Sequence, residues 1–295
     1  MSQTVSRPRS HTLIHHPIDN TVTLAVRDYP GDGPVILCLH GLTRSAADFD
    51  VLIPHLPEHC RLLVPDQRGR GRSSYDPKPE HYHLATYMAD MWSLLEALAV
   101  DQVTIIGTSM GGLMGMLMHA ANPARIVGLV LNDIGPELGV NGLQHIVDYV
   151  GKDMEAPNWA QAVVQTQAVQ QSNYPHFNAQ QWEAFARALY EPTGEQGAYR
   201  LAYDPAIADN FVATIKAAEP LDLWPVFQLL DGKPLLVIHG VLSSILTQPL
   251  CQKMQQAVAS TKVVSIAERG HAPLLNEPEA TAAIGHYLAE LYCDN

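Results

Sequence analysis

Gly107-Thr108-Ser109-Met110-Gly111-Gly112 follows the short apolar run Val103-Thr104-Ile105-Ile106 and opens a Met- and Leu-rich stretch with helical spacing. A strand, a sharp turn and a helix are the expected order. Glycines two before and two after the serine allow a turn so tight that the hydroxyl projects above the sheet, because a Cβ at either place would collide with neighbouring backbone. Ser109 is therefore the candidate nucleophile. A serine hydroxyl is weak at neutral pH, so it needs a general base within hydrogen-bond reach, and the base needs a third group to fix its tautomer. His271 is the candidate base, beside a glycine in Gly270-His271-Ala272-Pro273 on the loop after the last strand-like run. A tetrahedral intermediate also needs donors aimed at its oxyanion. Two backbone N–H groups meet that need: that of Met110, directly after the nucleophile at a helix start, and that of Leu42, in His40-Gly41-Leu42-Thr43 at the end of an earlier strand.

The elements that must position these residues alternate along the chain. Thr12-Leu13-Ile14 and Thr21–Val26 read as an opening antiparallel hairpin. Val35–Leu39 is a continuous apolar run of the kind buried on both faces of a parallel sheet. A helix is expected around 45–56, a strand at Cys60–Pro65, a helix at 84–99, the strand before Ser109, a helix at 110–121 stopped by Asn122-Pro123, and a strand at Ile126–Leu131 ending in Asn132-Asp133. The alternation then stops. Residues 134–232 show no buried-strand run, only helical segments near 141–151, 157–172, 179–190, 205–218 and 221–230. Strands and helices resume at Pro234–His239, 247–259, Lys262–Ile266 and 276–292. This predicts an α/β core formed by 1–133 and 233–295, a parallel sheet covered on both faces, and an inserted helical unit at 134–232.

Composition narrows the partners. Thirty acidic against eighteen basic residues give a net charge of −12, which disfavours nucleic acid and anionic membranes. The four cysteines form no Cys-x-x-Cys pair and fit a reducing compartment rather than a zinc site or disulfide framework. Met1–Ser10 lacks the apolar middle of a secretory signal, and no run approaches the ~20 apolar residues of a membrane span. The expectation is a soluble, cytoplasmic protein acting on a small molecule, its oligomeric state left open.

The ordered succession His40-Gly41, Asp66-x-Arg68-Gly69-x-Gly71-x-Ser73, Gly107-x-Ser109-x-Gly111 and Gly270-His271 resembles the α/β-hydrolase superfamily, specifically its lidded carboxylesterase-like branch. The resemblance implies an eight-stranded, mostly parallel sheet, a helical lid (134–232) inserted after the sixth strand, and a Ser-His-acid hydrolase that needs no cofactor. In that branch the acid usually follows the seventh strand in a Gly-x-x-Ser-Asp-x-Leu stretch. Here the stretch reads Gly240-Val241-Leu242-Ser243-Ser244-Ile245-Leu246, with Ser244 in the place of the aspartate and no carboxylate between Gly240 and Ala267. The substitute is Asp133, after the sixth strand, where haloalkane dehalogenases in the same superfamily carry theirs. Its alternative role is to cap a helix or anchor the lid.

The resulting reading is a serine esterase: Ser109 attacks, His271 moves the proton, Asp133 orients the ring, and the Leu42 and Met110 amides hold the oxyanion. A thioesterase, lactonase, acyltransferase or C–C bond hydrolase would use the same constellation, and a receptor on a degenerate hydrolase scaffold is the competing class. Arg68, Arg70 and Arg72 read as structural, Met110, Met114 and Met118 as core, and His11, His15, His16, His81 and His83 as loop residues rather than metal ligands. The inserted 99 residues hold twelve of the twenty aromatic residues and a net charge of −8. Among Trp159, Trp182, Phe185, Tyr190, Trp224 and Phe227, the two tryptophans Trp159 and Trp182 are expected to roof the site. An acidic, aromatic cover favours neutral, moderately apolar esters.

Overall fold

The computed structural model describes residues 9–137, 147, 150, 154–194, 197–209, 211–212 and 222–293. In chain order the strands are β1 (Thr12–Pro17), β2 (Thr23–Tyr29), β3 (Val35–Leu39), β4 (Arg61–Pro65), β5 (Val103–Thr108), β6 (Ile126–Asn132), β7 (Tyr190–Pro192), β8 (Tyr199–Leu201), β9 (Leu235–Gly240) and β10 (Thr261–Ile266). The helices are α1 (Leu84–Ala97), α2 (Met110–Ala121), α3 (Trp159–Gln170), α4 (Ala179–Leu189), α5 (Trp224–Gln228), α6 (Gln248–Ala257) and α7 (Pro278–Cys293). Eight strands form one sheet in the order β1-β2-β4-β3-β5-β6-β9-β10. β1 and β2 pair antiparallel, β2 meets β4 antiparallel, and every pair from β4 to β10 is parallel. This is the eight-stranded, mostly parallel α/β sheet that the alternation and the resemblance imply, with its insertion after the sixth strand.

The period-2 geometry of a strand explains why its central runs are apolar at every position. Leu37, Leu39, Ile105, Leu129, Leu131 and Val237 point to one face and join a core with Met91 and Leu94 of α1, Met114 and Met118 of α2, and Met254 of α6. Their neighbours Ile36, Cys38, Ile106, Val130, Leu236 and Ile238 point to the other and meet Phe49, Leu52, and Ile284 and Leu288 of α7. Met114 and Met118 are fully buried on α2, and Cys38 is a buried free thiol.

Two expectations are corrected. The helix expected at 45–56 is two 3-10 turns, Ala46–Phe49 and Ile53–His55. Pro57 drives Leu56 into the extended region, and Pro54 lacks the N–H a continuing helix would use, so neither turn can propagate. In the insertion, α4 ends at Leu189 and the chain becomes an antiparallel hairpin, β7 with β8, rather than helix alone. Pro192, three residues past the helix end, cannot extend it. The segments expected near 157–172, 179–190 and 221–230 have α3, α4 and α5 as counterparts. That near 141–151 lies outside the described residues except for Val147 and Val150, and that near 205–218 is described only through residue 209 and at 211–212.

The Arg68–Arg72 loop braces the fold. Arg68, 3% exposed, lies between Asp76 and Asp90, donating to both Asp90 oxygens at 2.6 and 2.7 Å. Arg70 is fully buried over the Tyr87 ring and donates through Nε to the Leu42 carbonyl at 2.9 Å. The arginine loop thus reaches the strand-end loop that carries the Leu42 amide.

Candidate active site

Ser109 sits between the carboxyl end of β5 and the first residue of α2, with φ 50° and ψ −115°. A left-handed φ is strained for a residue with a Cβ, and it persists here because the surrounding packing leaves no alternative. A Cβ on Gly107 would lie 2.4 Å from the Gly111 carbonyl oxygen, and one on Gly111 would lie 2.1 Å from the Leu39 oxygen. Only glycine at both positions lets α2 start so close to β3 and β5. The serine N–H is held by the Asn132 carbonyl at 3.0 Å, across the parallel β5–β6 register.

His271 lies on the loop after β10 and joins two partners. Its Nε2 is 2.8 Å from Ser109 Oγ, and its Nδ1 is 2.8 Å from Asp133 Oδ2. A proton on Nδ1, donated to the carboxylate, leaves Nε2 as an acceptor for the serine hydroxyl. Asp133 is fully buried, and like Ser109 it has a left-handed φ, 56°. Its other oxygen, Oδ1, accepts from Gly240 N–H at 2.8 Å, Oδ2 also accepts from Ser243 Oγ at 2.5 Å, and its own N–H donates to the Ile238 carbonyl. The pairing of β6 with β9 makes this possible, because it sets the end of one strand beside the end of the other. Ser244, in the place of the usual acid, is exposed. Its neighbour Ser243 is the residue that reaches the carboxylate, a role the sequence reading missed although the Ser243-Ser244 pair was in view.

The Leu42 and Met110 amides flank the serine, and neither donates to a described residue. A Cβ on Gly41 would sit 3.8 Å from Ser109 Cβ, so the Leu42 loop passes directly beside Ser109. His40 secures that loop: its Nδ1 donates to Gly41 O at 2.8 Å and its Nε2 accepts from Gln67 N–H at 2.9 Å. Complete burial pushes its pKa down to about 3, so it stays neutral. The unfolded chain binds this proton near pH 6.5 and the folded one does not, so stability falls as pH drops from 6.5 toward 3. Between pH 7 and pH 5 the loss is expected to be on the order of 2 kcal/mol. Urea unfolding at the two pH values should show this slope in the wild type and a shallower one in His40→Asn; equal slopes would contradict it.

A cavity opens over Ser109 and His271, lined also by Leu42, Tyr174, Phe185 and Tyr190. Trp159 and Trp182, expected as its roof, do not line it. Trp182, 3% exposed, stands edge-on behind Tyr174 and Phe185 and supports the rings that do reach the cavity. Trp159 packs against Tyr199 beneath the Arg187 guanidinium. Trp182 is thus enclosed by the insertion itself, and Trp159 is half-buried against it.

The insertion also clasps the histidine loop. Asn173 accepts from Gly270 N–H through its carbonyl at 2.8 Å and from His271 N–H through Oδ1 at 3.2 Å, and Tyr174 donates its hydroxyl to Ala272 O at 2.6 Å. A Cβ on Gly270 would lie 2.4 Å from Asn173 Oδ1, so this contact requires the glycine. From the sheet side, Asn132 Nδ2 donates to Pro273 O at 2.9 Å. Among the described residues no group of three or more His, Cys, Asp or Glu is arranged to hold a metal, and no helix is long and apolar enough to cross a membrane.

Comparison with known proteins agrees with this architecture. Residues 34–278 match the α/β hydrolase fold family. The chain is 32% identical over 258 residues to the 3-hydroxybutyrate-oligomer hydrolase of Cupriavidus necator, covering 86% of this chain and 87% of that one. It is 27% identical over 261 residues to the 2-(acetamidomethylene)succinate hydrolase of Mesorhizobium japonicum, covering 88% and 89%. An α/β hydrolase crystal structure from Novosphingobium aromaticivorans superposes with a TM-score of 0.88 at 38% identity, covering 94% of this chain and 98% of that one. With a matched profile over most of its length, the chain belongs to the α/β-hydrolase fold family.

Proposed function

We propose that the protein is a serine esterase of the lidded, carboxylesterase-like kind, acting through an acyl-enzyme. The observation that carries this reading is the position of His271, 2.8 Å from Ser109 Oγ on one side and 2.8 Å from buried Asp133 on the other. Ser109 Oγ attacks the ester carbonyl while His271 Nε2 takes the hydroxyl proton, and Asp133 stabilises the imidazolium through Nδ1–H. The carbonyl oxygen, now an anion, meets the Leu42 and Met110 amides, each of the type worth about 10² to 10³ in turnover. Collapse expels the alcohol, which receives the proton from His271. Water, deprotonated by the same ring, then attacks the acyl-enzyme and releases the acid and Ser109.

Similarity to the Cupriavidus 3-hydroxybutyrate-oligomer hydrolase supports an ester as the bond cleaved. The apolar rings Tyr174, Phe185 and Tyr190 support small, moderately apolar groups. A short neutral aryl ester should be hydrolysed severalfold faster than an equally sized ester bearing a carboxylate; the reverse order would contradict the substrate class. Stoichiometric labelling of Ser109 by an organophosphonate, and loss of aryl-ester hydrolysis in Ser109→Ala, are the expected results. Tight ligand binding without labelling or turnover would instead make the protein a receptor on this scaffold.

A further inference from the structure

Apart from His271, the described lining of the cavity carries charge at two side chains, Arg44 and Asp48. Arg44 follows Leu42 by two residues, and its Cγ lies 3.4 Å from the point where a Cβ on Gly41 would sit, a point itself 3.8 Å from Ser109 Cβ. Its stem therefore begins beside the nucleophile. Asp48, within the 3-10 turn Ala46–Phe49, takes three hydrogen bonds from the guanidinium: Nε to Oδ1 at 3.0 Å and to Oδ2 at 2.8 Å, and Nη2 to Oδ1 at 2.6 Å. The Phe185 ring of α4 lies 4.4 Å from Arg44 Cζ, so the insertion covers the pair. Both side chains remain partly open, at 16% and 17% exposed.

A planar guanidinium at the edge of a cavity is a carboxylate receptor, since its fork matches two oxygens at once. Here the fork is filled by the protein's own carboxylate. A substrate carboxylate at this place would have to displace Asp48 or crowd a second negative charge against it, whereas an uncharged group meets a pair with no net charge. A pair serving only to pin the 3-10 turn would not need to sit in the wall of the cavity.

We propose that the Arg44–Asp48 pair sets the charge preference of the cavity, with Asp48 standing in for a substrate carboxylate and holding the site to uncharged acyl and alcohol groups. The inference rests on the esterase reading and deepens it by assigning charge selection to two residues. Removing the Asp48 charge opens the arginine to anionic substrates; removing the Arg44 charge leaves an aspartate that favours cationic ones.

The test is kcat/KM for three 4-nitrophenyl esters of similar length, one with a neutral acyl tail, one ending in a carboxylate and one ending in a trimethylammonium group. D48N is expected to raise the anionic-to-neutral ratio by at least about tenfold, and R44Q to lower that ratio while raising the cationic-to-neutral ratio. Movement in opposite directions is the signature, because a purely structural role changes all three esters by one common factor. R44Q carries the test alone should D48N fail to accumulate as folded protein. Ratios unchanged in the folded variants, or a wild type that already prefers the anionic ester, overturn the proposal. If the neutral ester is cleaved and only the ratios stay fixed, the charge assignment falls and the esterase reading stands. If the wild type cleaves none of the three and Ser109 resists phosphonylation, both fall.

Discussion

Asp133→Asn is expected to lower kcat by about 10⁴-fold while leaving the protein folded. The amide is nearly isosteric and can still accept from Gly240 N–H, which now bonds Oδ1 at 2.8 Å. Its NH₂ would then face His271 Nδ1 and turn that atom into an acceptor. The ring proton would move to Nε2, the atom that must take the proton of Ser109, and the imidazolium would lose its charged partner. The comparison should be made on one ester with both variants, Asp133→Asn and Asp133→Ala, alongside thermal unfolding. Turnover within threefold of wild type in a folded Asp133→Asn protein would exclude the aspartate from the reaction and leave it the lid-anchoring role.

The second large effect is expected at a residue with no polar atom in its side chain. Gly111→Ala places a Cβ 2.1 Å from the Leu39 carbonyl oxygen and 2.5 Å from its carbon. Those are backbone atoms of a central strand, so helix α2 must move instead. Overpacking of a core costs about 1–3 kcal/mol where side chains can adjust, and a clash with strand backbone belongs at or above the upper end. The displaced first turn also carries the Met110 N–H away from the oxyanion, so turnover should fall by about 10² or more even in the fraction that folds. Gly285→Ala is the matched control: it lies within α7, where a Cβ meets nothing within 4 Å, and should be neutral or stabilising by about 0.5–1 kcal/mol. Equal melting temperatures and equal turnover for the two variants would refute the close-approach argument.

What could be read from the chain follows from how local each signal is. The strand runs were legible because both faces of a buried parallel sheet are apolar, and the Ser109 turn because two glycines two residues away are a backbone requirement written directly in the sequence. His271 needed only its place after a strand. Asp133 was a different case. Its pairing with a ring 138 residues away depends on β6 lying beside β9, a fact of topology, and it became a candidate because the stretch after Gly240 offers no carboxylate. The insertion was the least legible part. Without strand alternation nothing fixes the register of one helix against another, so the sequence does not single out which of its aromatic residues face the cavity. Trp159 and Trp182 are the expected pair, whereas the insertion's rings at the cavity are Tyr174, Phe185, Tyr190 and Tyr203. The 45–56 segment failed for a simpler reason, since Pro54 and Pro57 outweigh an apolar pattern that otherwise suits a helix.

The clasp between Asn173-Tyr174 and residues 270–272 ties the insertion to the last strand's loop. The turn that contributes a wall of the cavity is the same turn that moors His271, through three hydrogen bonds to its loop. The shape of that wall and the seat of the imidazole are therefore set by one joint, and a substitution that reshapes the first disturbs the second.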